Sequence, residues 1–270
     1  MTVLVGLSPR ARDDAGGAVG LAARLARAWE EDLAVALVVT PGDSDTDAAP
    51  AWTAVEGVLA ATGLAVRQET VHGRSVAEAL VTAAGEGDVS ALVLGTDADR
   101  SGRIATRVAR SSPVPVVLAR GGGASVPGMP VDRVTCAFDG TTAAPAVLAA
   151  AADLARRSAA SLRVASFAVR RSAAIPPEVG LDAEEPVIAG WTQQVTAAQQ
   201  EALDALGLEG TDTGVHVGPS WDAAVHAAGW SESDLLVVGG SPNAATRFFL
   251  GDRVGAILAA APVPAVIVRS

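Results

Sequence analysis

An aspartate and a handful of glycines stand at the places in this chain where a ligand could be held. Asp139-Gly140-Thr141-Thr142 follows the apolar run Val131–Phe138, and Gly239-Gly240-Ser241-Pro242-Asn243 follows the run that begins at Asp234. Gly251 and Asp252 come shortly afterwards. A carboxylate accepts hydrogen bonds, and glycine lets backbone amides come close to a bound group. Asp139, Gly140, Gly239, Gly240, Ser241, Gly251 and Asp252 are therefore the candidate binding residues. No residue is given a catalytic role.

Bond-making chemistry has few carriers. All 20 basic residues are arginine, which removes the phosphate-loop lysine, the Schiff-base lysine and the kinase strand lysine together. The lone cysteine, Cys136, sits in an apolar run and is expected to be a buried packing residue. His72 and His216 fall at the ends of the third strand of each half and His226 on a helix, without the spacing of a metal site. Ser8, Ser101 and Ser241 lack a recognisable nucleophile setting. Trp191, Trp221 and Trp230 are expected to anchor cores or interfaces. No metal is expected.

The formal charge of −10 repels phosphate backbones, and no basic tract is interleaved with aromatics, so nucleic acid is not an expected partner. The apolar stretch Ile257–Val268 is too short to span a bilayer and contains Pro262 and Pro264; Val3–Leu7 is too short for a signal-peptide core. The expected compartment is the cytoplasm, with no membrane contact.

The elements that must position these residues occur twice. Pro113-Val-Pro-Val-Val-Leu-Ala-Arg120 matches Pro262-Val-Pro-Ala-Val-Ile-Val-Arg269 at an offset of 149 residues. Leu25-Ala-Arg27 matches Leu154-Ala-Arg156, and Ala91–Gly95 matches Leu235–Gly239, in the same order. A glycine-rich connector, Arg120–Gly128, places the boundary near residue 125 and predicts domains at 1–122 and 130–270. In the first half, strands are predicted near Val3–Leu7, Leu33–Val39, Leu64–Val71, Ala91–Gly95 and Val116–Ala119. In the second they are predicted near Val131–Phe138, Leu162–Val169, Gly214–Val217, Asp234–Gly239 and Ala265–Val268. Alanine-rich helical segments separate them. Continuous apolar strands alternating with helices predict an α/β fold of two tandem doubly wound domains, each with a five-stranded parallel sheet. The stretch between Arg170 and Trp191, with Pro176-Pro177, Asp182, Glu184, Glu185 and Pro186, reads as an acidic loop before a helix over Thr192–Leu206.

In such a sheet ligands bind beyond the carboxyl ends of strands where the strand order reverses, which is where Asp139 and Gly239 fall. These turns, their order and the duplication resemble the universal stress protein family, over essentially the whole chain and twice. The family's first strand ends in an Asp-Gly-Ser type turn, and its fourth is followed by Gly-x2-Gly-x9-Gly-Ser/Thr, whose amides hold the phosphates of ATP. The resemblance implies a sheet of the adenine-nucleotide α-hydrolase-like type. Asp139 then matches the carboxylate near base and ribose, while Gly239 and Gly251 match the first and last glycines.

The chain departs from the pattern at several positions. Pro242, which has no amide hydrogen, stands at the second glycine, and the gap to Gly251 is one residue short. Asp252 replaces the hydroxyl residue and would face a polyanion. In the first half Ser8-Pro9 occupies the carboxylate turn and Gly102-Arg103 follows Gly95 too closely to wrap a triphosphate.

The favoured function is a non-enzymatic stress-response or regulatory module with weak or absent nucleotide binding and no required cofactor. The alternative is an ATP or AMP sensor using the second half, with slow hydrolysis. The same resemblance implies that the almost wholly apolar fifth strands are sheet edges through which the family's chains associate, and here they are expected to pair within the chain as an internal pseudo-dimer of the two repeats. A homodimer or an unidentified protein partner would then use another surface, with the acidic loop at 176–186 and the tryptophan-bearing helices as candidates.

Overall fold

The backbone follows the apolar periodicity closely. The computed structural model describes residues 1–9, 15–43, 45–96, 101–120, 129–170, 181–240 and 251–269; side chains at 45–47, 96, 101–103, 120, 181–185 and 251–252 are outside the description. The first half runs β1 (Thr2–Leu7), α1 (Ala15–Trp29), β2 (Asp32–Val39), α2 (Asp45–Thr62), β3 (Val66–His72), α3 (Val76–Glu86), β4 (Val89–Thr96), α4 (Ser101–Ser111) and β5 (Val116–Arg120). The second runs β6 (Arg133–Ala137), α5 (Ala144–Arg157), β7 (Ser161–Val169), α6 (Leu181–Ala205), β8 (Asp212–Gly218), α7 (Trp221–His226), β9 (Asp234–Gly240), α8 (Gly251–Ala260) and β10 (Ala265–Arg269).

All ten strands join one sheet in the order β3-β2-β1-β4-β5-β10-β9-β6-β7-β8. Within each half every pairing is parallel. The only antiparallel pairing among these strands is between β5 and β10, with Val117 opposite Val266. Read outward from that seam, both halves have the same order, so the architecture is doubly wound α/β.

Successive strand residues point to opposite faces, and each face has its own core. Val3, Val5, Val35, Val93, Val117 and Val266 pack with Leu21 and Leu25 of α1 and Leu148 and Leu154 of α5. Leu4, Leu92, Val116, Leu236 and Ile267 pack on the other face with Leu80 of α3, Val108 of α4 and Val225 of α7. Both cores cross the seam, so neither half is packed in isolation.

Two local devices recur at matching positions. After α1 the chain turns through Glu30 (φ 56°), with the Glu31 amide donating to the Ala26 carbonyl at 2.9 Å; after α5 it turns through Ala159 (φ 50°), with the Ala160 amide donating to Ala155 at 2.8 Å. These left-handed closures satisfy helix-end carbonyls. Ser75 caps α3 through the Glu78 amide at 3.3 Å, and Ser220 caps α7 through the Ala223 amide at 3.2 Å.

The seam is reinforced by polar contacts from α1. The buried Arg24 guanidinium donates to three second-half carbonyls: Pro130 and Ser233, each at 2.6 Å, and Glu232 at 3.2 Å. Burial lowers its pKa, while Asp132 and Asp234 oppose that shift. Arg157 pairs with Glu31 at 2.6 Å and lies over the Trp29 ring, whose indole N–H donates to Ser158 Oγ at 2.9 Å.

The structure corrects the acidic loop in part: residues 181–190 belong to α6. The prolines and carboxylates suggested a loop, but Trp191, Val195, Ala198 and Ala202 form an apolar stripe packed on the core, and the helix that carries it extends through Pro186. Residues 171–180 of that stretch, and the 121–128 connector, lie outside the described residues. Among the described residues, no helix is long and apolar enough to cross a membrane.

Candidate functional site

The candidate site forms where β6 and β9 part company. β6 pairs with β9 from Arg133 opposite Asp234 to Cys136 opposite Val237 and then leaves the ladder. β9 continues through Val238, Gly239 and Gly240, its other edge held by β10, with Val268 opposite Gly239 and Arg269 opposite Gly240. β7 pairs on the far side of β6, so the crevice lies at the reversal of strand order.

Asp139 sits at the mouth of that crevice. Its Oδ1 accepts from the Thr141 amide at 3.0 Å and from Thr141 Oγ1 at 2.8 Å, an Asx turn in which the carboxylate is exposed and oriented by its own loop. Gly140 has φ +70°, a conformation that favours glycine, and a side chain there would meet Val195 Cγ2. The turn feeds α5, where the Ala144 amide donates to the Thr141 carbonyl at 3.0 Å.

A buried polar network, which the sequence reading did not single out, holds the strand end beneath this turn. The Phe138 amide donates to the Ala165 carbonyl at 2.9 Å, and the Phe138 carbonyl accepts from Ser166 Oγ at 2.6 Å. Ser166 Oγ in turn accepts from Gln199 Nε2 at 2.8 Å, which also donates to Gly214 O at 3.2 Å. Two signals were available: a serine inside the apolar run of β7, and a glutamine at helical spacing from Val195 and Ala202. Each is 1% exposed, and the network satisfies Ser166 Oγ and Gln199 Nε2 within the protein, while Gln199 Oε1 has no partner among the described residues.

The structure brings Asp139, Gly140, Gly239 and Gly240 to one end of the sheet. Ser241, with Pro242 and the rest of 241–250, lies outside the described residues; Gly251 and Asp252 are placed as the opening residues of α8, without a description of the Asp252 side chain. In the first half β1 leaves β4 after Gly6 opposite Leu94, and β4 runs on to Thr96, so the crevice is repeated with Ser8-Pro9 at its mouth.

Other chemical candidates are structural. Cys136 is fully buried, and burial first and the Asp139 charge second push its thiol up to about 12. His216 lies within β8 rather than at its end, stacked on Phe167 with centroids 5.7 Å apart. His226 Nδ1 is 2.8 Å from the Asp222 carbonyl. Trp191 packs on one core and Trp221 and Trp230 on the other; the Trp230 N–H donates to Val225 O at 2.7 Å.

Comparison with known proteins yields one family. The family model described as the universal stress protein family matches residues 130–269. A universal stress protein of Mycobacterium tuberculosis (strain H37Rv) is 31% identical over 298 aligned residues, covering 99% of each chain, and one from Mycobacterium bovis has the same identity and coverage. Among solved structures, a universal stress protein from Archaeoglobus fulgidus superposes with a TM-score of 0.62 at 15% identity, covering 99% of this chain and 96% of its own. A functionally unknown protein from Pseudomonas aeruginosa gives 0.62 at 14%, covering 99% and 92%. At these identities the two structures bear on the fold alone.

Proposed function

The chain belongs to the universal stress protein family, and from that premise we propose that it is a cytoplasmic, non-enzymatic stress-response module with one weak adenine-nucleotide site, in its second half. We read it as two copies of one domain, over 1–122 and 130–270, forming an internal pseudo-dimer. The sequence repeats, the common strand order outward from the seam and the matching turns after α1 and α5 support that reading.

The observation that carries the site is the Asp139 turn at the parting of β6 and β9. A preformed carboxylate beside a glycine-ended strand suits a ribose hydroxyl or a base amino group. The first half puts Ser8-Pro9 in that place, which offers no carboxylate. Affinity is limited by the sequence that follows β9: Pro242 removes one amide donor, and Asp252 sets a negative charge where phosphate oxygens would lie.

Calorimetric titration with ATP and Mg²⁺ tests this reading. The expected result is weak binding with one site per chain, lost in Asp139→Ala and kept in Ser8→Ala, without ATP turnover. Two equivalent sites, binding indifferent to Asp139, or steady hydrolysis would overturn it.

A further inference from the structure

The ten-stranded sheet has two free edges, β3 and β8. β3, Val66-Arg-Gln-Glu-Thr-Val-His72, is bonded along its length to β2 and on its other side to no strand among those described. An open groove of about 470 Å³ runs beside it, between Arg67, Glu69 and Val71 of the strand and Glu78, Ala79 and Thr82 of α3.

The charges of this edge have a particular order. Arg67 and Glu69 are two residues apart and therefore on the same face, both lining the groove. Neither has an ion-pair partner among the described residues, whereas the nearby Arg74 is paired with Glu78 at 2.8 Å. A lone charged edge usually discourages pairing with other strands. Here the sequence Arg-Gln-Glu is its own complement when reversed. In an antiparallel pair of two such strands with Gln68 opposite Gln68, each Arg67 stands directly across from the other strand's Glu69. Val71 then meets Ala65, and Val66 meets Thr70. Moving the centre to Glu69 sets two carboxylates face to face, and moving it to Arg67 sets two guanidinium groups together. Of the registers that keep the groove faces on the same side, only the Gln68-centred one satisfies all four charges.

We infer that β3 is a homodimer edge, at which a second copy of this chain adds its own β3 antiparallel, in the Gln68-centred register, about a twofold axis normal to the sheet. Such an interface is isologous, the commonest kind in homodimers. The groove beside α3 leaves room for the partner's Arg67 and Glu69 side chains. A strand of uniformly acidic or basic peptide would leave one of the two charges facing its like. The β8 edge, Asp-Thr-Gly-Val-His-Val-Gly, carries a single permanent charge, Asp212, and so has no such pair of fixed charges.

Sedimentation velocity on the full chain over a concentration series tests the inference, with thermal melts run on every variant. The wild type is expected to dimerise. Arg67→Glu and Glu69→Arg each put like charges across the strand and should raise the dimer dissociation constant by at least about tenfold. The double variant R67E/E69R restores complementarity and should recover dimerisation. Mixing the two single variants should give a heterodimer, since an all-acidic edge then meets an all-basic one. If Glu69→Arg melts early, Glu69→Gln, which only deletes the charge, should still weaken association. A wild type monomeric throughout, a dimer indifferent to the single reversals, or a double variant no better than either single would overturn the proposal.

Discussion

Val117 of β5 lies opposite Val266 of β10 in the antiparallel step of the sheet, and both side chains are completely buried. The two residues are 149 positions apart in sequence, yet they share the core beneath α1 and α5, which crosses the seam. Arginine at either position would bury an unpaired charge. Val117→Arg or Val266→Arg should destabilise the protein by roughly 4 kcal/mol and speed proteolysis at residues 121–128. Denaturant melts with limited digestion measure both; an unchanged midpoint and unchanged cleavage would show that other contacts hold the halves.

Arg24 is the main polar tie across that seam. Arg24→Met keeps much of the stem but removes the guanidinium from the Pro130, Glu232 and Ser233 carbonyls, of which Ser233 keeps the Asp132 amide at 3.1 Å. A loss of about 2 to 3 kcal/mol is expected, because one buried and two partly buried acceptors are stripped of a charged partner. Urea unfolding checks this, and a loss below about 1 kcal/mol would mean that water replaces the guanidinium.

Asp252 opens α8, where the helix dipole is positive and a bound phosphate would be drawn. Asp252→Ser removes the like charge and adds a hydroxyl donor. ATP affinity should rise by about 1 to 2 kcal/mol, roughly five- to thirtyfold. Calorimetry comparing the two proteins decides it; equal affinity would place the obstacle at Pro242 and the shortened loop.

His216 sets an acid limit on stability. Burial first, and then the Arg163 charge, hold its pKa below the ordinary 6.5, with Asp212 pulling the other way. The unfolded chain therefore takes up this proton more readily than the folded one. Its contribution is complete above pH 6.5 and is lost as pH falls from there through the folded value. His216→Phe should flatten the decline of stability over that acidic window. Denaturant midpoints across a pH series test this; a variant with the wild-type slope would exonerate the imidazole.

The fold was legible because the strands are continuous apolar runs and the repeat fixes their correspondence; Leu21 and Leu25, at helical spacing, are both fully buried in the core. The start of α6 was not legible, since Pro176, Pro177 and Pro186 with three carboxylates have a loop composition, while the packing of Trp191 and Val195 is a tertiary fact. At the site, Asp139 and Gly140 could be read from their place after an apolar run. Ser166 and Gln199 were marked in the sequence only by residue type and spacing, because their network is defined by partners distant in sequence, here Phe138 and Gly214. The paired order of Arg67 and Glu69 was visible in the chain but acquired meaning only once β3 proved to be a sheet edge.

The position of β10 has a consequence for biosynthesis. It is the last of the ten strands to leave the ribosome, yet it lies in the interior of the sheet, between β5 and β9. While residues 121–264 are being made, a folded first half would present the apolar β5 edge without its final neighbour. Synthesis rate through the second half thus sets how long an adhesive strand stays uncovered, and slowing translation there should favour insoluble product over any change in the finished protein.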